Sequence, residues 1–137
     1  MLKKLLLTTV MSALMVLAFA QAQTLFFSEY VEGSSNNKAL EIFNGTGATV
    51  DLSGYTVKLA SNGNTWSTTN SVTLSGTLAN NDVFVIANTG ANATILGLAD
   101  LTHTVTYYNG NDALGLFQGE TMIDIIGIYQ QDPGTAW

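Results

Sequence analysis

Beyond residue 24 the apolar positions occur in short runs, and clusters of Gly, Asn, Ser and Thr separate one run from the next. These separating residues form turns readily and are weak formers of helix interiors. Short apolar runs between turn clusters at regular spacing are typical of a β-sandwich or a β-barrel. The runs that we predict to be strands are 25–31, 39–43, 55–60, 72–74, 83–87, 104–108, 113–117 and 122–129.

Seven or eight strands without an internal repeat or a linker fit one domain. Two packed antiparallel sheets bury one face of each strand most economically, so the sequence predicts an all-β two-sheet antiparallel sandwich. A closed barrel is the alternative. The run 83–87 is apolar throughout, which predicts a central strand covered on both faces. Residues 93–98 are predicted to form one or two helical turns.

The first residues have the pattern of a targeting signal. Lys3 and Lys4 precede an apolar run at 5–19, and small residues follow at 18–20 and again at 20–22. A basic start, a short apolar core and a small-x-small site are typical of a secretory signal peptide. A membrane anchor is the alternative, but the run is shorter than the roughly 20 residues of a spanning helix.

The predicted organisation is therefore a signal-peptide helix at 1–22 followed by one β-sandwich domain at 23–137. We expect a secreted or cell-surface protein, with cleavage before Gln21 or Gln23. Asp132-Pro133-Gly134 forms a turn signal, and Trp137 follows it as the last residue. An aromatic residue directly after a turn either covers part of the core or precedes one more strand, and we expect the domain to be truncated at its C-terminal end.

Charge narrows the set of partners. After removal of the signal, Lys38 and Lys58 are the only basic residues. Ten Asp and Glu residues remain, so the net charge is near −8. Such a surface repels phosphate, so direct binding of nucleic acid or of an anionic membrane is not expected. Proteins, cell-surface glycans and cations remain as partners. The chain has no Cys, so neither a disulfide nor thiol chemistry is available.

Several sequence blocks resemble one known family. They are FSEYVEGSSNNKALEIFN at 27–44, VDLSGY at 50–55, NGNDALGLF at 109–117, IDIIG at 123–127 and DPGTAW at 132–137. In this order they resemble bacterial lamin-tail domains. The resemblance implies an immunoglobulin-like β-sandwich of the kind attached to secreted nucleases, phosphoesterases and surface proteins. Members usually continue past the position of Trp137 into a further strand with basic residues, which this sequence lacks.

No catalytic constellation is evident. His103 is the only histidine, and no Ser lies in a nucleophile-elbow pattern. Polar residues surround His103 in the segment 102–106, which favours a histidine that faces solvent. We therefore assign no catalytic residue and predict that the chain is not an enzyme.

Glu29 and Glu41 lie on the first two predicted strands. If these strands form a hairpin around residues 34–36, the two carboxylates face each other, and like charges in that position are destabilising. Lys38 or a divalent cation would relieve the repulsion. We favour a different register, in which both acids are solvated or hydrogen-bonded to loop amides. We favour a capping role for Glu29, because the loop at 33–37 offers free N–H groups.

Calcium is a second, weaker possibility. Asn109, Asn111 and Asp112 supply the oxygen ligands that Ca²⁺ prefers, as does the segment 80–82. Neither segment has EF-hand spacing, and Asn and Asp are also ordinary turn residues. We therefore assign no metal site and no cofactor, and favour turns at both places.

The aromatic residues include one candidate for ligand binding. Trp66 lies in a polar segment and could stack against a sugar ring, together with Tyr107, Tyr108 or Tyr129. Adjacent residues of a strand point to opposite faces, so at most one of Tyr107 and Tyr108 belongs to the core. A Trp that folds over the end of the sandwich as a lid is the interpretation we favour.

These observations predict a non-catalytic secreted interaction module that serves adhesion, surface attachment or the positioning of an enzyme. The alternative is an accessory-domain fragment of a secreted nuclease or phosphoesterase whose catalytic domain is missing or lies downstream.

Overall fold

The computed structural model describes residues 22–136. The predicted signal helix at 1–21 and the terminal Trp137 lie outside the described residues. The elements, in chain order, are β1 (Phe26–Glu32), β2 (Lys38–Phe43), β3 (Val50–Asp51), β4 (Tyr55–Ala60), β5 (Ser71–Thr73), β6 (Thr77–Leu78), β7 (Val83–Ala87), α1 (Ala93–Leu96), β8 (Leu101–Thr102), β9 (Ala113–Gln118) and β10 (Thr121–Ile126), with single 3-10 turns at Leu52–Gly54, Ser61–Gly63 and Thr104–Thr106.

The long strands form two four-stranded sheets. The first has the order β1-β2-β7-β8 and the second the order β10-β9-β4-β5, while β3 and β6 pair separately. All pairs are antiparallel except β7 with β8. The predicted all-β two-sheet sandwich is thus confirmed, with one short parallel pair that the pattern did not indicate.

Alternation along the strands places the core between the sheets. In β2, Leu40 and Ile42 point inward and are fully buried, while their neighbours point outward. The second sheet contributes the inward side chains of β4 and β9 in the same way. Further buried members come from the connections, and the large fully buried apolar residues are Leu25, Leu40, Ile42, Leu52, Val57, Leu59, Ile86, Val105, Tyr108, Leu114 and Leu116.

Tyr108 packs in the core beside the turn end of the β1–β2 hairpin. Its ring is fully buried and stacks on Tyr30, with the ring centroids 4.6 Å apart. Its hydroxyl is shared between the carbonyl oxygens of Val31 at 2.7 Å and Ala39 at 2.8 Å. Burial raises the pKa of Tyr108, so the hydroxyl stays protonated and remains a donor. As predicted, only one of the adjacent tyrosines is in the core, since Tyr107 is 54% exposed.

Two expectations about strands are wrong. The weak alternation at 104–108 was predicted to be a strand, but Thr104–Thr106 forms a 3-10 turn that buries Val105 and Thr106 between the sheets. The strand Val83–Ala87 was predicted to be covered on both faces. The strand is central, between β2 and β8, but its outer face is only partly covered: Ala87 is fully buried, whereas Val83 and Val85 are half-buried. Burial beneath a connecting segment and burial within a strand give similar short apolar patterns.

Leu116 and Leu98 provide a matched pair of leucines that tests this core. Leu116 is fully buried and Leu98 is 71% exposed. We expect Leu116→Ala to lower the free energy of unfolding by about 2–5 kcal/mol, because it removes buried methyl groups and leaves a cavity. Leu98→Ala should change it by less than about 0.5 kcal/mol. Urea unfolding followed by fluorescence measures both, and equal losses would contradict the assigned core.

Candidate functional site

The outer face of the first sheet carries an unusual set of side chains. Because successive residues of a strand point to opposite faces, Glu29, Val31, Ala39, Glu41 and Val85 all point away from the core. The register places Glu29 opposite Glu41, and Glu41 opposite Val85 on the next strand. The two residues therefore face each other across the hairpin, and the different register that we favoured is wrong.

The helix α1 extends over this face. Asn92 caps its start, because the side-chain oxygen of Asn92 accepts the N–H groups of Thr94 at 3.0 Å and Ile95 at 3.1 Å. The N–H of Asn92 in turn donates to the side-chain oxygen of Asn37, in the β1–β2 turn, at 2.9 Å. This link ties the overhanging segment to the hairpin and brings Ile95 and Leu98 beside the sheet face.

Together these elements form a small groove of about 110 Å³, which we call the acidic-apolar groove. Carboxylates are its polar side chains, and all other lining side chains are aliphatic. The hydroxyl of Ser28 donates to a carboxylate oxygen of Glu41 at 2.7 Å. The lining residues are Glu29, Val31, Ala39, Leu40, Glu41, Val85, Ile95 and Leu98.

The favoured capping role of Glu29 has no support in the loop that it was expected to cap. The N–H of Gly33 donates to the carbonyl of Asn37 at 2.8 Å, and the N–H of Asn37 donates to the carbonyl of Ser34 at 3.2 Å. Lys38 likewise donates its N–H to the carbonyl of Asn36 at 2.7 Å. The loop satisfies these donors within its own backbone, and Glu29 lies on the outer sheet face instead.

The outer face of the second sheet carries an aromatic cluster. Trp66 stacks on Tyr129 with the ring centroids 4.5 Å apart and meets Phe117 edge-on at 5.4 Å. A Cβ on Gly115 would lie 2.9 Å from the Trp66 ring, so this glycine permits the close approach. Lys58 lies over the Phe117 ring at 4.4 Å. The expected position of Trp66 as a lid at the end of the sandwich is thus replaced by packing on a sheet face.

The candidate calcium ligands at 109–112 serve to join loops. Asp112 is buried and accepts the N–H groups of Asn62 at 2.8 Å and Asn109 at 2.9 Å. The side-chain amide of Asn111 donates to Asn62 at 2.9 Å and to Asp132 at 3.0 Å. Across residues 22–136, no three side chains of His, Cys, Asp or Glu come together as a metal-binding group.

The segment at 80–82, the other candidate for calcium binding, also forms hydrogen bonds that hold turns. Asn80 accepts the N–H of Gly47 at 2.7 Å, and Asp82 accepts the N–H of Val83 at 2.9 Å. Buried Asn44 is the hub of this end of the sandwich, and its side-chain amide donates to the carbonyls of Ala48, Leu78 and Ala79. The sequence signal for this hub is the turn-forming cluster Asn44-Gly45-Thr46-Gly47 that ends β2.

His103 has a structural role that the sequence did not indicate. It is half-buried, and its Nδ1 accepts the N–H of Val105 at 3.0 Å, which caps the 3-10 turn at Thr104–Thr106. Burial lowers the pKa of His103. The predicted solvent-facing histidine is therefore a turn cap that acts in its neutral form.

Two comparisons with known proteins bear on this arrangement. The family model described as Lamin Tail Domain matches residues 19–130. No curated protein matches the chain. Within the described residues, no helix has the length and apolar character needed to cross a membrane.

Stability should depend on the protonation of His103. Since its pKa is lower in the folded state than in the unfolded chain, the unfolded chain binds the proton first as the pH falls. We expect the free energy of unfolding to decrease below about pH 6.5, the ordinary histidine value, and down to the lower folded-state pKa.

His103→Asn is the matched variant, because Asn can accept the same N–H but does not titrate. Thermal unfolding between pH 4.5 and pH 7.5 should show a smaller loss for this variant than for the original protein. Identical pH profiles would contradict the assigned role of His103.

Proposed function

Because this chain belongs to the lamin tail domain family, we propose that it is an exported, non-catalytic interaction module that binds its partner through the outer faces of its sheets. Immunoglobulin-like lamin tail domains are a non-catalytic fold family. The proposed role is surface attachment, adhesion or the positioning of an enzyme.

One observation carries the proposal. A solvent-facing sheet surface usually has polar side chains, whereas both sheets here expose apolar ones on their outer faces. Val85, Ile95 and Leu98 lie around the acidic-apolar groove, and Met122 lies on the outer face of the second sheet, opposite Phe117. Met122 is 43% exposed and Leu98 is 71% exposed. The gathering of apolar side chains around a groove supports the proposal that this face is an interaction site.

The described residues support a non-catalytic role. General acid–base and metal chemistry need a cluster of titratable groups around one position. His103 instead caps a turn, and Asp112 holds two backbone N–H groups of neighbouring loops. Export is supported by the basic start and the apolar run at 5–19, which fit a secretory signal.

One experiment tests both parts of the proposal. The full chain is expressed in a bacterium, and the cytoplasmic and exported fractions are separated. We expect the chain in the exported fraction, and Leu14→Arg should retain it in the cytoplasm because a charge interrupts the apolar run. The exported protein is then incubated with DNA and with a chromogenic phosphodiester, in the presence of Mg²⁺ or Ca²⁺.

No hydrolysis above that of a His103→Ala control is expected. Retention of the original chain in the cytoplasm would contradict export. Hydrolysis that His103→Ala abolishes would contradict the non-catalytic role.

A further inference from the structure

We propose that the acidic-apolar groove binds a lysine side chain of a partner protein, with the ammonium group between Glu29 and Glu41 and the aliphatic stem along the wall formed by Val85, Ile95 and Leu98. This inference rests on the proposed function, because it names the chemistry by which the interaction module recognises its partner.

The two carboxylates supply the electrostatic part of the argument. Glu29 and Glu41 are directly opposite each other in an antiparallel pair. Like charges in such a pair repel, and a cation between them would turn the repulsion into two attractions. The hydroxyl of Ser28 satisfies only one oxygen of Glu41. The groove is therefore complementary to a positive charge.

The described part of the chain has no cation of its own for this position. Lys38 donates to the carbonyl of Tyr108 and lies 3.9 Å from the carboxylate of Glu32. Lys58 lies on the other sheet, over the ring of Phe117 at 4.4 Å. These are the only two basic side chains among residues 22–136, so a positive charge in the groove would come from a partner.

The apolar walls specify what kind of cation fits. A hard metal ion such as Ca²⁺ requires six to eight oxygen ligands. Beyond the two carboxylates, the side chains that line the groove are Val, Ala, Leu and Ile, which offer none. A lysine side chain combines a compact ammonium with four methylene groups that gain free energy from contact with such walls.

The groove is also preformed. Asn92 caps α1 and receives support from Asn37 in the β1–β2 turn. At the far end of the overhang, Asp100 donates its N–H to the carbonyl of Val85 at 3.0 Å and accepts the N–H of Val85 at 2.8 Å. Because the segment at 92–100 is hydrogen-bonded to the sheet and hairpin at both ends, binding of a ligand costs less conformational entropy. The volume of about 110 Å³ suits a single side chain.

The test is a titration of the purified protein with n-butylammonium, which is the lysine side chain without its backbone, followed by amide chemical shifts. We expect saturable shifts at residues 29, 41, 85 and 98. Three matched additives are compared at equal concentration: ammonium, which has the charge without the stem; n-butanol, which has the stem without the charge; and Ca²⁺. Each should give weaker, non-saturating shifts at these residues.

Two variants and one control locate the site. Glu29→Gln should weaken binding of n-butylammonium by about two- to fivefold, as expected for one exposed ion pair. Leu98→Ser should weaken it by removing part of the apolar wall, without unfolding an exposed position. Glu120→Gln, which removes the same charge from the β9–β10 turn, should leave binding unchanged.

Equal responses to n-butylammonium and ammonium would overturn the proposal, since the walls would then contribute nothing. Saturable binding of Ca²⁺ at the groove would also overturn it and would indicate a metal site. Neither result would affect the proposed function, whose own failure would be detected as hydrolysis or as loss of export.

Discussion

The pairing register of β1 with β2 is the constraint on which the rest of the structure depends. It places Leu40 and Ile42 in the core and Glu29 opposite Glu41 on the outer face. A slip by one residue would reverse both faces, burying a carboxylate and exposing a core leucine. The cost of an uncompensated buried charge makes that alternative unfavourable, so the core selects a register that the surface carboxylates by themselves disfavour.

This conflict connects folding with the proposed function. The repulsion between two exposed carboxylates is small compared with the free energy of core burial, so the fold tolerates it. The same pair then becomes a preformed site for a cation. Like charges seldom face each other in a sheet, and here such a pair lies beside Val85, Ile95 and Leu98. Departures of this kind from local preferences are expected at functional positions.

The sequence predicted the two-sheet sandwich and most of the long strands, because these features follow from short apolar runs and from turn residues. The family was predicted from the resemblance of whole sequence blocks. It did not predict the groove as a site. Leu98 lies far along the chain from Glu29, and the links of Asn92 to Asn37 and of Asp100 to Val85 hold the overhanging segment beside the sheet. Similarly, His103 and Val105 resembled part of a strand, because a buried 3-10 turn and a short strand have the same apolar pattern. The groove and the buried turn both depend on contacts between residues that are distant in the sequence.

The most direct test of this account is the coupling free energy between Glu29 and Glu41, measured by denaturant unfolding of the two single Gln variants and the double variant. If the carboxylates face each other without a cation, each single substitution should stabilise the protein by about 0.2–1 kcal/mol at low salt. The second substitution should then add little, and the coupling should fade at high salt. Additive effects, or destabilisation by either single substitution, would contradict the facing, uncompensated pair.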